Sequence, residues 1–180
     1  MPLTTVFLGL GSNIERERHL CAGLDALTGF IDNLQCSPVF ESEPVGIRSG
    51  PFFNLVVSGE THLPLAELGL RLKHIEADNG RYAPERKGLP LDIDVLLYGD
   101  LYGDFDGLAL PRAEVLKNAF VLWPLALLAP QKRLPGTDRE FASLWAEASI
   151  DQRLWPVPFA WRGRDLTPAG LLQAFPKPAL

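Results

Sequence analysis

The chain is predicted to adopt an α+β fold, a ferredoxin-like split βαβ (βαββαβ) sandwich with extra C-terminal helices and a C-terminal arm. Three observations predict it. The first is the element order strand–helix–strand–strand–helix–strand across residues 4–98. The second is periodicity: short apolar runs alternate with two segments whose leucines recur every three or four residues. The third is a change of composition after about Ala148, where Trp155, Pro156, Pro158, Phe159 and Trp161 crowd together. Residues 1–148 are therefore assigned to one domain, and residues 149–180 to an extension packed on it.

Thr4 to Leu10 is a short apolar strand ending in Gly9-Leu10-Gly11-Ser12-Asn13, with Ser12 or Asn13 available to cap the next helix. That helix runs from Arg16 to Thr28 and lines up Leu20, Leu24 and Leu27 on one face. Asn33 to Glu41 is the second strand. Ser42 to Pro51, rich in Gly, Pro and Ser, is a loop, and Phe52 to Glu60 is the third strand. Pro64 to Glu76 is the second helix: Pro64 opens its first turn, and Leu65, Leu68, Leu72 and Ile75 form its buried stripe. A polar loop from Asp78 to Pro90 carries Arg81, Arg86 and Lys87 into the fourth strand, Leu91 to Tyr98. The expected topology sets this strand beside the first at the centre of the sheet. Gly99, Gly103 and Gly107 mark a hairpin or irregular excursion as far as Leu110. Pro111 to Leu128 is predicted helical with a break at Pro124. The final segment reads as a strand followed by a short helix.

A length of 180 residues suits one domain of this kind, and 47% hydrophobic with 22% charged residues is ordinary for a globular protein. The net charge of −5 argues against general binding to nucleic acid or anionic membranes, although a few local cations plus a metal would still admit a nucleotide. The longest apolar stretch, Ala119 to Ala129, contains Pro124 and is too short to span a bilayer. Met1 to Leu10 lacks the basic start and long apolar run of a signal peptide. Cys21 and Cys36 have no metal-ligand spacing and read as free thiols in a reducing cytoplasm. The expected partners are small molecules, with no nucleic acid and no membrane, and the chain is expected to be a monomer or weak homodimer.

The most telling segment is Leu91-Asp92-Ile93-Asp94-Val95-Leu96-Leu97-Tyr98. On a strand of period two, Asp92 and Asp94 point to the same face. Adjacent like charges on a half-buried strand repel and lose solvation, so the arrangement needs compensation. A divalent cation with oxygen ligands supplies it, and Mg²⁺ is commonly held by one or two carboxylates together with waters and substrate phosphates. An edge strand with both acids facing water is the alternative.

Five features then occur in order: Gly9-Leu10-Gly11-Ser12-Asn13; Phe52-Phe53-Asn54; Glu76 with Gly80-Arg81; Leu91-Asp92-Ile93-Asp94; and Ala119-Phe120-Val121-Leu122-Trp123-Pro124-Leu125. Together they resemble 6-hydroxymethyl-7,8-dihydropterin pyrophosphokinase, over roughly residues 4–148. The resemblance implies transfer of pyrophosphate from ATP to a pterin hydroxymethyl group in folate synthesis. It implies that Asp92 and Asp94 hold two Mg²⁺ ions and that Asp92 helps to orient the hydroxymethyl group. Asn54 would read the pterin's amide edge, Phe120 would stack on its ring, and Ser42, Val45 and Phe52 would line the same pocket. On the nucleotide side it implies Glu76 near the nucleoside and Arg81, a catalytic position with the two aspartates, near the phosphates. Lys73 occupies a position often polar in the family, and Arg86 and Lys87 lie in a loop that closes over ATP.

The chain departs from the family pattern in its cations. Ahead of Leu91-Asp92-Ile93-Asp94, Gly88-Leu89-Pro90 stands where Gly-Pro-Arg-Thr is usual, one residue shorter and without the arginine. Ala83 or Pro84 replaces a second arginine, Pro111-Arg112-Ala113 stands for Pro-His-Pro/Tyr, and Asn118 occupies a position commonly arginine. Arg112 and Lys87 are the cations available to compensate, and Arg112 is counted with the ATP-binding set. The thinned set leaves open an alternative, a pterin-binding paralogue with weak or no transfer activity, as well as a related enzyme with a different pterin or phosphoryl donor.

Overall fold

The computed structural model describes residues 2–43, 50–85 and 87–179. Val45 and Arg86 therefore lie outside the described residues. The chain runs β1 (Thr4–Ser12), α1 (Arg16–Leu27), β2 (Asp32–Cys36), β3 (Val39–Ser42), β4 (Phe53–Thr61), α2 (Leu65–Asp78) and β5 (Asp92–Tyr98). A hairpin follows, β6 (Gly103–Phe105) and β7 (Leu108–Leu110), and then α3 (Glu114–Lys117), α4 (Ala119–Leu128) and α5 (Phe141–Glu147). The C-terminal segment contributes β8 (Leu154–Val157), β9 (Ala160–Trp161), β10 (Arg164–Asp165) and α6 (Ala169–Ala174).

The main sheet has the order β5-β1-β4-β3-β8, with β2 also paired to β4, and its strand pairs are antiparallel. This is the predicted α+β class. One expectation about it fails: β5 lies beside β1 as anticipated, but at the edge of the sheet. β4 occupies the other side of β1, so the crossover through α2 can add a strand only on the outside. Periodicity specifies which face a side chain takes, not where its strand sits.

The predicted strand Asn33–Glu41 is two strands. Pro38 has no N–H to give the ladder. Ser37 bridges the interruption: its N–H donates to the Val56 carbonyl at 2.8 Å, and its Oγ accepts from the Val56 N–H at 2.9 Å. The helical break also moves. α4 runs through Pro124, and the interruption falls at Asn118, which is extended at φ −114° and ψ 120°. Neither Ser12 nor Asn13 caps α1, because β1 continues to Ser12. The Asn13 Oδ1 instead accepts from the Leu89 N–H at 2.6 Å.

Apolar side chains pack on both faces of the sheet. α1 and α2 cover one, where Leu8, Leu10, Leu24, Leu55, Leu68, Leu72 and Ile93 meet. α4 and α5 cover the other with Leu122, Leu125 and Phe141 over Phe7, Val56, Leu96 and Leu97. Among the described residues no helix is long and apolar enough to cross a membrane.

Candidate functional site

On the α4 side of the sheet, β1 presents Phe7 and then two glycines, Gly9 and Gly11, because alternate residues share a face. Gly9 is paired with Asp94 on one side and Val56 on the other, and Gly11 with Asp92 and Asn54. The missing side chains leave a trough flanked by a carboxylate pair and an amide. A Cβ at Gly11 would lie 2.7 Å from Asn54 Oδ1 and 3.6 Å from a Phe52 ring carbon. Glycine inside a strand here marks close approach rather than a turn. α4 begins above the trough, and a cavity of about 180 Å³ is lined by Gly9, Gly11, Asn54, Asp92, Asp94, Glu114, Asn118 and Phe120 among others.

A second cavity, of about 440 Å³, opens beyond the β5 edge and is lined by Lys73, Glu76, Arg81, Tyr82, Asp92, Asp94, Asp106 and Arg112 among others. Asp92 and Asp94 line both cavities. The edge position of β5 makes this sharing possible, since an inner strand would have a neighbour where the second cavity lies.

The electrostatics follow from this crowding. Burial, then the charge of Asp92, push the Asp94 carboxyl up to about 7, against the opposing pull of Arg112. Each acid has one guanidinium: Arg81 Nη1 donates to Asp92 Oδ1 at 2.7 Å, and Arg112 Nη2 to Asp94 Oδ1 at 3.3 Å. Arg81 is held in turn by buried Glu76, whose Oε2 accepts from Arg81 Nη1 at 3.0 Å and from the Ile93 N–H at 2.9 Å. Glu76 Oε1 accepts from the Tyr82 hydroxyl at 2.9 Å. Glu76 thus ties α2, Arg81 and the start of β5 together.

Two carboxylates on one face, one resisting ionisation through burial and its neighbour's charge, form a hard oxygen donor set suited to Mg²⁺. Among the described residues no group of three or more His, Cys, Asp or Glu could hold a metal ion alone. A metal here would need oxygens from a substrate or water.

Of the residues singled out in the sequence, Asn54, Asp92, Asp94 and Phe120 meet around the first cavity, and Lys73, Glu76, Arg81 and Arg112 join the acids around the second. Ser42, Phe52 and Lys87 are not among the described residues lining either. Phe52 precedes β4 yet contacts the trough at Gly11, Ser42 ends β3, and Lys87 is exposed. Glu114 was not anticipated; it accepts from Arg112 Nε at 3.2 Å. The trough was missed as well, although the period-two glycines were its signal.

The family model for 7,8-dihydro-6-hydroxymethylpterin-pyrophosphokinase (HPPK) matches residues 7–130. This chain belongs to the HPPK family. HPPK relatives include the 2-amino-4-hydroxy-6-hydroxymethyldihydropteridine pyrophosphokinase of Pseudomonas aeruginosa, 38% identical over 135 residues, 72% of this chain and 83% of that one. The Aquifex aeolicus enzyme of the same name is 34% identical over 131 residues, 71% of this chain and 82% of that one. Among solved structures, Plasmodium falciparum HPPK-DHPS superposes with a TM-score of 0.65 at 13% identity, covering 81% of this chain and 43% of the longer one, a likeness of fold. As an HPPK, the chain is a pyrophosphokinase of folate synthesis.

Proposed function

We propose that the chain transfers pyrophosphate from ATP to the hydroxyl of 6-hydroxymethyl-7,8-dihydropterin, releasing AMP, in a Mg²⁺-dependent reaction. One observation carries this reading: a single aspartate pair forms the common wall of two cavities, one with Asn54 and Phe120, the other with Lys73, Arg81 and Arg112. A transfer between two substrates needs a shared wall of this kind, where donor and acceptor can be aligned.

In this reading the first cavity takes the pterin. Phe120 offers a ring face for stacking and Asn54 an amide edge for hydrogen bonding, with Phe52, Ser42 and Val45 in supporting positions. The second cavity takes ATP. Lys73, Arg81 and Arg112, with Arg86 and Lys87 from the preceding loop, supply positive charge to the polyphosphate, and Glu76 holds Arg81 in place. Asp92 and Asp94 would hold two Mg²⁺ ions, which supply charge neutralisation at the phosphates and an acidified, oriented hydroxyl. Asp92 lies nearer the trough residue Gly11 in register and orients the hydroxymethyl group. Phosphoryl-type transfer asks little covalent chemistry of the protein beyond such alignment and charge compensation. Arg112 supports transfer over mere pterin binding, because it restores beside Asp94 a cation missing from the sequence motif. Two unpaired thiols, Cys21 and Cys36, support a cytoplasmic location.

The test is direct. Purified protein incubated with ATP, Mg²⁺ and the hydroxymethyl-dihydropterin is expected to release AMP. A folded sample that binds pterin and produces none refutes the proposal.

A further inference from the structure

The matched family region ends at residue 130, yet the segment beyond it reaches back to the first cavity. α4 begins without a side-chain cap of its own: Asn118 is extended, and its carbonyl already accepts from the Val121 and Leu122 N–H groups at 3.0 and 2.9 Å. The Ala119 N–H, one of the amides that a helix start cannot satisfy internally, instead donates to Gln152 Oε1 at 2.7 Å. A backbone amide can only donate, so this contact fixes which end of the Gln152 amide faces α4. The other end, Nε2, donates to Asn118 Oδ1 at 3.3 Å. Gln152 therefore grips the two residues immediately before Phe120, and Asn118 and Phe120 both line the first cavity.

The base on which Gln152 stands is itself anchored. β8 begins two residues later and pairs along β3, with Ser42 opposite Leu154. The Glu43 N–H donates to the Arg153 carbonyl at 2.9 Å. Farther along, Trp155 Nε1 donates to the buried Glu41 carboxylate at 3.0 Å, and Lys177 pairs with the same oxygen at 3.0 Å. Phe175 packs edge-on against Trp123 of α4, ring centres 4.9 Å apart. The glutamine is thus presented by a strand of the main sheet, not by a free tail.

We infer that Gln152 is a positioning residue for pterin binding: it caps α4 from 33 residues away and sets the height of Phe120 and Asn118 over the Gly9–Gly11 trough. This rests on assigning the first cavity to the pterin. Gln152 itself lines neither cavity, so it acts through Asn118 and the start of α4. ATP, assigned to the other side of the aspartates, does not depend on it.

Calorimetric titration of the full chain separates the possibilities. Gln152→Leu removes both hydrogen bonds and is expected to raise the pterin Kd about five- to tenfold, the usual weight of one or two such bonds. The Kd for ATP·Mg²⁺ is expected to stay within about twofold. Gln152→Glu keeps an acceptor for the Ala119 N–H and is expected to recover most of the pterin affinity. If Gln152→Leu does not fold, Gln152→Asn, one methylene too short, replaces it with the same expectation. An unchanged pterin Kd, equal weakening of both ligands, or no recovery with glutamate overturns the inference. Failure of the unmodified chain to bind pterin would instead remove the assignment of the cavity beneath it.

Discussion

Asp94 is where several forces meet on one side chain. Burial and the neighbouring Asp92 push it up to about 7, from about 4 in an unfolded chain. Between those values the folded protein keeps a proton that the unfolded chain has released. In the metal-free protein, stability is therefore expected to fall as pH rises from about 4 to about 7 and to level off above that. Thermal unfolding across this range checks it, and Asp94→Ala should flatten the slope. The same substitution should abolish Mg²⁺-dependent AMP release while leaving the fold intact, because it removes a repulsion along with a proposed ligand. Near-normal turnover would refute the metal role. Asn54→Ala is expected to weaken pterin binding by about 1–3 kcal/mol, the cost of an unpaired polar partner. An unaltered Kd in a titration would return Asn54 to a structural role. These residues were legible in the sequence because period two puts Asp92 and Asp94 on one face. Their counter-ions were less so: Arg112 reaches Asp94 only because the chain returns from β7 and the Arg112 N–H donates to the Leu96 carbonyl at 3.0 Å.

At the scale of elements, β1 and β4 do most of the positioning. β4 carries Asn54 on the trough side, while Leu55 and Val57 enter the opposite core. Its far end is closely packed against β2: a Cβ at Gly59 would lie 2.3 Å from an Ile31 methyl and 2.9 Å from the Asp32 carbonyl oxygen. Gly59→Ala is therefore expected to destabilise the protein by about 1–3 kcal/mol, through displacement of the α1–β2 connection. Chemical denaturation measures this, and a loss below about 0.5 kcal/mol would mean the connection yields freely. The sequence indicated the elements well where apolar spacing was regular, as in α1 and α2. It misled where one residue's backbone chemistry decided the outcome. Pro38 divided a strand that composition made continuous. Pro124 sat inside a helix it was expected to break, while Asn118 broke it instead.

For the whole molecule, the decisive fact is sheet order. The sequence predicts an inner strand for the acid pair, with an exposed edge as the alternative. β5 is an edge strand, yet its acids are half-buried between two cavities. Neither description was complete, because strand order and the return of α4 over the sheet are long-range outcomes that local periodicity does not encode. Two ligands bound on either side of the same carboxylates should influence one another. ATP·Mg²⁺ is expected to tighten pterin binding and pterin to tighten ATP·Mg²⁺ by the same factor, as linkage requires. Titrations in both orders measure this, and independent affinities would argue that the shared wall is not energetically shared.

The guanidinium groups of Arg81 and Arg112 already rest against Asp92 and Asp94, the acids they would have to surrender to a metal. A bare ion arriving alone would displace both from the aspartates and leave them only Glu76 and Glu114 as carboxylate partners. An ion escorted by a chain of phosphates brings the evicted arginines new anionic company. On this geometry magnesium is expected to enter more readily with the nucleotide than alone, because the phosphates would take over the guanidinium groups that the aspartates release.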